Sequence, residues 1–481
     1  MVKIDNSSKK MNFKETLDSN DIFGKVAQAA QVLGVPVYVV GGFVRDLIMK
    51  IPSKDIDFVC VGSGIDLAQK LAEMFYPKAE VAFFKNFGTA MLKANGFELE
   101  FVGARKESYE RNSRKPIVED GTLEDDQKRR DFTINALAIS LNTADYGELL
   151  DPFEGIKDLK RKIIRTPLAP DITFSDDPLR MMRAIRFASR FGFDIEGSTF
   201  QAITENRERI KIVSQERITD ELNKIIMSNP PSYGFKLLFH SKLLHIIFPE
   251  MAELQGVEAV GDKKHKDNFY HTLQVLDNLS EKSQDLWHRW SAILHDIAKP
   301  ATKRFDEKVG WTFHGHEDKG ARMTVPIFKR MKLPMGENMR FVQKLVKLHL
   351  RPIALIKDVI TDSALRRLLF ETGDDLEALM ALCRADITSK DGSKVQRYLQ
   401  NFDKVEKKLI ELEERDKLRN FQPVITGEII MEALNLKPCK EVGIIKTELR
   451  EAILEGKIRN EYEDSFNFML KIAEKLGIKN E

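Results

Sequence analysis

The apolar pattern of this sequence changes once, near residue 176, and that change restricts the possible folds more than any other feature. Before it, residues 36–40, 55–61 and 97–102 have the apolar content of short buried strands, and residues 43–50 have the spacing of a helix. After it, the spacing is helical to the end of the chain. The sequence therefore predicts an α+β fold in which a mixed sheet with helices is followed by an all-α region.

The composition is that of a soluble globular protein. The chain has 481 residues, of which 42% are hydrophobic and 31% are charged, and this length suits about three or four domains. No apolar run approaches ~18 residues, so we expect no membrane span. The N-terminal segment lacks the apolar core of a signal peptide, which predicts a cytoplasmic protein. Three widely separated cysteines, Cys60, Cys383 and Cys439, fit a reducing compartment and exclude a zinc ribbon.

Two acidic side chains at the start of the second predicted strand suggest a metal site. Asp55 and Asp57 stand two residues apart, and residues at that spacing in a strand project from the same face. Neighbouring carboxylates repel each other unless a divalent cation such as Mg²⁺ neutralises them. Glu98 and Glu100 share one face of the third strand, and Glu100 is a third candidate; two metal ions here would support in-line phosphoryl transfer. The alternative is a solvent-exposed acidic pair at a strand edge.

A Gly-Gly pair lies 13 residues before the acidic pair. Gly41 and Gly42 fall between a predicted strand and a predicted helix, where backbone N–H groups can approach a phosphate. Arg45 follows one turn into the helix and could hold negative charge. The alternatives are a plain tight turn for the glycines and a surface ion pair between Arg45 and Asp46.

Several motifs of the first 165 residues, in their order along the chain, resemble those of one family. They are VGGFVRD (40–46) with DIDF (55–58), RRDFTINA (129–136) and DPFEGIKDL (151–159). Together they are similar to the head motifs of the polymerase-β-type nucleotidyltransferases. More narrowly, they resemble the class II CCA-adding enzymes and the bacterial poly(A) polymerases.

The resemblance implies roles for individual residues of this region. Asp55 and Asp57 would hold Mg²⁺, with Glu100 assisting in catalysis. Residues 151–159 would form the joint between a head and a neck. The nucleotide would be held by Gly42, Arg45, Arg130 and Asp131, with support from Asn135.

The segment DDPLRMMRAIRFA (176–188) begins the helical region. Asp177 suits an N-cap and Pro178 suits the first helical position. Asp177 and Arg180 are three residues apart and share a face, so their carboxylate and guanidinium could pair with the Watson–Crick edge of a base. From the residue types alone, the alternative is a helix cap with a simple salt bridge.

This segment also resembles the EDxxR motif of the same family, in which the Asp and the Arg select CTP and ATP in place of a nucleic-acid template. The resemblance assigns base recognition to Asp177 and Arg180, and it places Arg183 and Arg186 at the nucleotide. Asp176 stands where the family usually has Glu. That departure leaves the base-pairing residues unchanged.

A spaced series of histidines and aspartates follows in the helical region. Imidazole and carboxylate groups are ligands for Mn, Ni, Fe or Zn, and an adjacent His-Asp pair can bridge a metal and a water. ILHDIAK (293–299) and its neighbours resemble the HD phosphohydrolase domain, and His316 fits that pattern better than His314. The resemblance predicts a divalent transition metal and leaves hydrolytic activity open. The ligands would be His271, His295, Asp296, His316, His349 and Asp386.

Basic side chains are concentrated between residues 322 and 351. This stretch carries eight Lys and Arg residues against a single acid, Glu337. Such a cluster could follow a phosphate backbone, and the alternative is a solvated helix face. The eight residues are Arg322, Lys329, Arg330, Lys332, Arg340, Lys344, Lys347 and Arg351.

The resemblance covers the chain from about residue 20 and predicts four domains: a nucleotidyltransferase head (20–165), a helical neck (166–255), an HD-type domain (256–395) and a helical tail that binds tRNA (396–481). It implies addition of CMP, CMP and AMP from CTP and ATP to the 3′ end of tRNA. A poly(A) polymerase or a partial CC- or A-adding enzyme shares every head motif. A further alternative is a phosphohydrolase or signalling protein with a regulatory nucleotidyltransferase head.

Overall fold

The structure is a computed structural model, and in it the chain forms two compact units. Unit 1 comprises Met1–Ser228 and Tyr233–Phe248, and unit 2 comprises Asn229–Ser232 and Pro249–Glu481. The division into four domains is not tested by this partition and stays a prediction. The residues that the structure describes are 11–75, 79–84, 88–108, 117–260, 263–264, 267–357, 361–388, 391–416, 419 and 421–478.

Seven of the strands that the structure describes form a mixed sheet in unit 1, and the others form small two-stranded sheets. The described strands are β1 (Val37–Val40), β2 (Asp55–Cys60), β3 (Val81–Phe84), β4 (Thr89–Ala94), β5 (Phe97–Gly103), β6 (Arg105–Ser108), β7 (Ile117–Asp120), β8 (Ala138–Ser140), β9 (Leu149–Leu150), β10 (Ile163–Ile164), β11 (Asp194–Ile195), β12 (Ala259–Val260), β13 (Lys263–Lys264), β14 (Arg304–Asp306) and β15 (Gly310–Thr312). Seven of them form one sheet in the order β3-β4-β5-β2-β1-β8-β9. Strands β2 and β5 pair in parallel, and β1 pairs antiparallel with β2 and β8. The predicted mixed sheet is confirmed, and its three predicted strands are β1, β2 and β5.

Helices make up most of the remaining described structure. They are α1 (Lys14–Asp18), α2 (Asp21–Leu33), α3 (Gly42–Ile48), α4 (Gly64–Ala72), α5 (Leu123–Lys128), α6 (Gly155–Arg161), α7 (Pro170–Asp176), α8 (Leu179–Phe191), α9 (Gly197–Asn206), α10 (Gln215–Ile226), α11 (Pro231–His240), α12 (Leu243–Ile247), α13 (Pro249–Ala252), α14 (Asn268–Ser280), α15 (Leu286–Leu294), α16 (Lys299–Thr302), α17 (His316–Arg330), α18 (Glu337–Leu348), α19 (Leu350–Lys357), α20 (Asp362–Thr372), α21 (Leu376–Ala385), α22 (Gly392–Asp416), α23 (Gly427–Ala433), α24 (Lys440–Leu454) and α25 (Tyr462–Lys475). Short 3₁₀ helices occupy Thr133–Asn135, Arg207–Ile212 and Gly373–Asp375. Among the described helices, none is long and apolar enough to cross a bilayer.

The apolar residues of β2 and β5 decide which way their acids point. Ile56 and Phe58 on β2 are fully buried, as are Leu99 and Phe101 on β5. The rings of Phe58 and Phe101 stack with their centroids 4.9 Å apart. Because side chains alternate along a strand, burying these four residues on one face turns the intervening acids to the opposite face.

The region after residue 176 is mainly helical, as expected, and it also contains a few short strands. Strands β14 and β15 form an antiparallel hairpin within unit 2. The Asp306 carboxylate accepts hydrogen bonds from the N–H groups of Lys308 and Val309 at 2.8 and 2.9 Å, which stabilises the turn. Across the pair, the rings of Phe305 and Trp311 pack edge to face at 5.2 Å. Local turn chemistry and a cross-strand aromatic contact therefore favour strands in this segment.

Candidate active site

Four carboxylates form a compact group on one face of the sheet. In the parallel register of β2 and β5, Asp55 lies opposite Glu98 and Asp57 lies opposite Glu100. Neighbouring strands are about 4.8 Å apart, so each facing pair is close. Both predicted aspartates and the third candidate, Glu100, therefore project into the same space.

The carboxylates of Asp57 and Glu100 are held in an unfavourable electrostatic environment. Burial raises the pKa of Asp57; the Arg130 guanidinium opposes this rise, and the Asp55 carboxylate adds to it. Burial also raises the pKa of Glu100, with a further contribution from Asp57. Glu98 differs because the Lys93 ammonium lies 2.5 Å from its carboxylate. Asp55, Asp57 and Glu100 thus offer hard oxygen ligands of like charge, and this donor set fits Mg²⁺.

The Gly41 backbone lies close to this acidic group. Gly41 has φ +73°, and a Cβ at this position would lie 2.7 Å from the nearer Arg130 nitrogen and 3.3 Å from Asp57 Oδ2. A side chain at Gly41 would therefore collide with the two functional groups beside it. Gly42 follows as the first residue of α3 and lines the same space. The lack of a side chain at Gly41 thus leaves room for the Arg130 and Asp57 side chains.

Arg45 on α3 is buried and already has partners. Its guanidinium donates to Asp46 Oδ1 at 2.8 Å and to Asn135 Oδ1 at 2.5 Å, and burial lowers its pKa. It also lies over the rings of Phe187 and Phe191, at 5.2 and 4.9 Å from their centroids. Arg45 is therefore fixed in position at the edge of the site, as part of a buried ion pair.

Arg130 is held by an aspartate that the sequence analysis did not single out. The Asp126 carboxylate is fully buried, and it accepts from two nitrogens of Arg130 at 3.0 and 2.9 Å. Arg129 also contacts Asp126. The two arginines lower the pKa of Asp126, although its burial acts in the opposite direction. The signal was present in the sequence, because Asp126 and Arg130 have the i, i+4 spacing of a helical pair.

Asp131 connects the sheet-containing region to helix α8. Its carboxylate accepts from the Asn135 amide at 2.9 Å and from Arg183 Nε at 2.8 Å. Although burial opposes it, the attraction of Arg183 and these hydrogen bonds lower the pKa of Asp131 to about 2. The neighbouring Asp131 correspondingly raises the pKa of Arg183. Asp131 and Asn135 therefore act on the site through the arginines that they hold.

We expect Asp131→Asn to lower the free energy of unfolding by about 2 kcal/mol at pH 7, since the folded-state pKa is about 2 and a tenfold change in an ionisation constant corresponds to about 1.4 kcal/mol. A depressed pKa gives stability above the unfolded-state value near 3.8 and loses it as the pH falls towards about 2. Urea denaturation should therefore show a smaller difference at pH 3 than at pH 7. Asp220→Asn, at an exposed surface pair with Lys224, should cost about 0.5 kcal/mol or less. An equally small loss for Asp131→Asn would contradict this role.

Arginines of α8 are paired with a second unpredicted acid, Glu221 on α10. Glu221 is buried, and its carboxylate lies 2.6 Å from Arg186 Nε and 3.9 Å from Arg183. Burial lowers the pKa of Arg186, while Glu221 opposes that shift. No motif spacing indicates this pairing, because Glu221 and the two arginines lie on different helices.

The structure does not pair Asp177 with Arg180. Asp177 Oδ1 accepts from the Leu179 N–H at 3.1 Å, and Oδ2 lies 3.1 Å from an Arg217 nitrogen. Arg180 instead donates to the Arg129 carbonyl oxygen at 2.5 Å. Helix α8 begins at Leu179 with Pro178 at its N-cap position and no side-chain cap, so the predicted capping positions of Asp177 and Pro178 were wrong by one residue. The two predicted base-reading side chains are each oriented by a different partner.

A cleft of about 650 Å³ brings the acids and the arginines together. Seven of the predicted residues line it: Gly42, Arg45, Asp55, Asp57, Glu100, Arg183 and Arg186. Arg130 instead lines a neighbouring hollow of about 470 Å³, to which Asp57 and Glu100 also contribute. The remaining predicted residues of this region line neither space: Asp131, Asn135, Asp177 and Arg180.

The cleft also contains two cations that the sequence analysis missed. Arg190, at the end of α8, is exposed and lines the cleft together with Lys54. Arg190 is close enough to Arg45 and Arg186 to lower the pKa of both. It follows Arg186 by one helical turn, so the 180, 183, 186, 190 spacing was the available signal.

A second cluster, in unit 2, contains all six predicted HD residues. Two sets of three can each hold an ion, because their ligand atoms lie within 4.8 Å of one another. Asp296 is buried, and its carboxylate lies 3.4 Å from His271 and 3.3 Å from His316. His316 and His349 are 3.4 Å apart through their Nε2 atoms. The two sets are His271, His295 and Asp386, and Asp296, His316 and His349.

The backbone orients three of these histidines towards the centre of the cluster. His295, His316 and His349 each place Nδ1 2.7 Å from the carbonyl oxygen three residues earlier. A proton on Nδ1 would then be donated to that carbonyl, which leaves Nε2 as a ligand atom. Burial, together with the nearby His295, lowers the pKa of His349 to about 4, so its ring is neutral, as a ligand must be. This donor set fits a divalent transition metal.

Comparison with known families matches three parts of the chain. Residues 37–165 match the family described as "Poly A polymerase head domain". Residues 192–255 match "Probable RNA and SrmB- binding site of polymerase A", and residues 268–391 match "HD domain". Most of the residues that line the acidic cleft lie within the first match, and the histidine cluster lies within the third.

Individual proteins are similar over most of the chain. An A-adding tRNA nucleotidyltransferase of Deinococcus radiodurans is 33% identical over 70% of this chain and 76% of its own length. A Multifunctional CCA protein of Shewanella frigidimarina is 31% identical over 76% of this chain and 86% of its own length. A solved tRNA nucleotidyltransferase, complexed with a primer tRNA and an incoming ATP analog, is similar with a TM-score of 0.56 and 26% identity, over 79% of this chain and 99% of that one.

Proposed function

We propose that this chain, which belongs to the tRNA nucleotidyltransferase family, adds CMP, CMP and AMP to the 3′ end of tRNA. It would take them from CTP and ATP, without a nucleic-acid template. One observation carries the proposal. The cleft joins the acidic face of β2 and β5 to the arginines of α8, and a nucleoside triphosphate needs both a carboxylate-bound metal and cationic groups for its phosphates.

In the proposed reaction, the 3′-hydroxyl oxygen of the RNA forms a bond to the α-phosphorus of the nucleotide, and the bond to the leaving pyrophosphate breaks. Asp55 and Asp57 would hold Mg²⁺, with Glu100 beside them, and a pair of such ions would activate the hydroxyl and neutralise the triphosphate. Arg183, Arg186 and Arg190 line the cleft and would bind phosphate oxygens. The carboxylates of Asp131 and Glu221 fix Arg183 and Arg186 before the nucleotide arrives, which favours catalysis by positioning.

Base selection is assigned to Asp177 and Arg180. Arg217 and the Arg129 carbonyl hold these two side chains in place, so the acceptor and donors that face a base would be preorganised. Asp131 and Asn135 would support the same nucleotide indirectly, through Arg183 and Arg45. Arg130 lines the neighbouring hollow with Asp57 and Glu100 and would bind the nucleotide directly.

Asp177→Ala should lower the preference for CTP and ATP over UTP and GTP by about tenfold, since it removes a base-pairing acceptor. The measurement is the ratio of kcat/KM values for the four nucleotides. Arg217→Gln keeps the Asp177 carboxylate but removes the arginine that orients it, so a smaller loss of nucleotide preference is expected. A ratio that is unchanged in Asp177→Ala would remove this residue from base selection.

The whole proposal is tested by incubating the protein with tRNA that lacks its CCA end, with Mg²⁺, CTP and ATP, and sequencing the products. Addition of C, C and A supports the full activity. The similarity to an A-adding enzyme favours a second candidate, which would extend only tRNA ending in CC, and only with ATP. Long A tails would indicate a poly(A) polymerase. If no tRNA is extended, all of these candidate activities are refuted.

The histidine cluster supports a separate proposal for unit 2. Its two sets of three ligands would hold a divalent transition metal, which when bound could polarise a phosphate ester. Metal-dependent release of phosphate from nucleotides is the assay for such a phosphohydrolase activity.

A further inference from the structure

The eight basic residues between 322 and 351 divide into two groups in the structure. Four of them line one groove of about 550 Å³ in unit 2: Arg322, Arg340, Lys344 and Lys347. The other four do not line this groove. Two of those have acidic partners, because Arg330 lies 2.5 Å from Glu250 and Arg351 lies 3.6 Å from Glu371. The sequence cluster is therefore not one uniform solvated face.

The groove lies along the helix pair α17 and α18. The start of α17 and the end of α18 meet where His316 contacts His349, so the two helices run antiparallel, and Gln343 ties them by donating to the Ala321 carbonyl at 2.8 Å. Arg340, Lys344 and Lys347 on α18 have the i, i+4, i+7 spacing of a single face. They span about 10 Å along the helix axis.

Three of the four groove cations have charges available to a ligand. Arg322, Arg340 and Lys347 are exposed, and within the described part of the chain no carboxylate lies in ion-pair range of them. Lys344 is committed, because it lies 2.5 Å from Asp375 and donates to the Thr372 carbonyl. Two acids, Asp318 and Glu371, also line the groove, so its cations outnumber its acids by two.

The lining chemistry favours a polyanion held through its backbone. Arginine and lysine bind phosphate oxygens by charge-assisted hydrogen bonds. Among the described lining residues there is no aromatic side chain on which a base could stack. A run of cations about 10 Å long can contact about three successive phosphates of a helical strand. Recognition of this kind is independent of nucleotide sequence.

We propose that the groove between α17 and α18 binds the phosphate backbone of tRNA, at a site separate from the acidic cleft of unit 1. This inference rests on the proposed function, since it takes tRNA as the partner. Arg322, Arg340 and Lys347 supply the contacts, and Asp318 opposes them. The groove contributes to affinity for the RNA and not to the chemical step.

The test compares two double variants that lose the same charge. Arg340→Gln/Lys347→Gln removes two groove cations, and Lys329→Gln/Lys332→Gln removes two exposed cations of the same cluster that lie outside the groove lining. All four positions are exposed, and circular dichroism melts confirm the folding of each variant. The affinity for tRNA lacking its CCA end is measured between 50 and 300 mM NaCl, together with kcat and with KM for ATP.

The groove variant should bind tRNA about tenfold more weakly at 150 mM salt, and the slope of log affinity against log salt should fall by about 2. Its kcat and its KM for ATP should equal those of the wild type. The outside variant should keep the wild-type slope, and Asp318→Asn should bind about twofold more tightly, since it removes a repulsive charge.

Equal affinities and slopes for the two double variants would overturn the proposal and would assign the groove to a different class of partner, such as an acidic protein. That outcome is distinct from failure of the proposed function, in which the wild type itself extends no tRNA.

Discussion

Asp57→Asn should reduce nucleotide addition at least a thousandfold while leaving the fold and the affinity for tRNA unchanged. Asp57 is central to the acidic group, because it lies opposite Glu100 in the sheet, two residues from Asp55 and against the Gly41 backbone. Loss of a metal-binding carboxylate removes about 4 kcal/mol or more of transition-state stabilisation. Single-turnover extension of tRNA, with binding measured separately, gives the two quantities.

Glu98→Gln is the matched control for Asp57. Glu98 lies on the same face and opposite Asp55, but its charge is paired with Lys93. Its replacement should change the rate less than about threefold, because an exposed ion pair contributes little. A rate for Asp57→Asn that stays above a tenth of the wild-type value would contradict the metal assignment. So would an equal loss in Glu98→Gln.

Asp57→Asn should also change the stability of the protein. Burial raises the folded-state pKa of Asp57, so its ionised form opposes folding, and stability falls as the pH rises from the unfolded-state pKa through the folded-state value. In EDTA at pH 7, Asp57→Asn should therefore melt at or above the wild-type temperature. Added Mg²⁺ should raise the melting temperature of the wild type and not that of the variant. A variant that melts well below the wild type in EDTA would show that the carboxylate is structural.

Asp296→Asn should weaken binding of a divalent metal to unit 2 at least about a hundredfold. Asp296 is the buried carboxylate within reach of His271, His295, His316 and His349. The metal content of purified protein, measured by mass spectrometry, should fall accordingly. Nucleotide addition should stay within about twofold of the wild-type rate, because the residues of the acidic cleft all belong to unit 1.

Asp296→Asn should also destabilise unit 2, because the Asp296 carboxylate neutralises the positive charge of Lys299 beside it. Lys299 lies 2.5 Å from this carboxylate, and breaking a buried ion pair typically costs about 3–5 kcal/mol. His316→Ala and His314→Ala form a matched pair of controls, because His316 is in the cluster and His314 is exposed outside it. Only His316→Ala should lose metal. Equal metal content in the two histidine variants would refute the assignment of the ligand set.

Much of the architecture could be predicted because it depends on local patterns. The period-two alternation of Ile56 and Phe58 with Asp55 and Asp57 predicts both the strand and the face of the acids. The i, i+4 pair of Asp126 and Arg130 was equally local, although the sequence analysis passed over it. The β14–β15 hairpin was missed because its strands are three residues long, which is too short for a periodic signal.

Pairings across the chain could not be predicted in this way. Asp131 and Arg183 are 52 residues apart, and nothing in the spacing of either motif selects the other as its partner. Asp177 and Arg180 show the opposite case. Their spacing allowed a contact, yet Arg217 and the Arg129 carbonyl occupy them instead.

Residue order alone thus accounts for the sheet, the acidic face, the arginine-bearing helix and the spaced histidines, since each follows from periodicity or from a short motif. Folding in three dimensions selected which arginine meets which carboxylate, which cations of residues 322–351 gather in one groove, and how the six predicted metal ligands, Asp296 among them, come together. The physical reason is range. Backbone periodicity acts over a few residues, whereas burial and charge pairing depend on distances in space that no local pattern encodes.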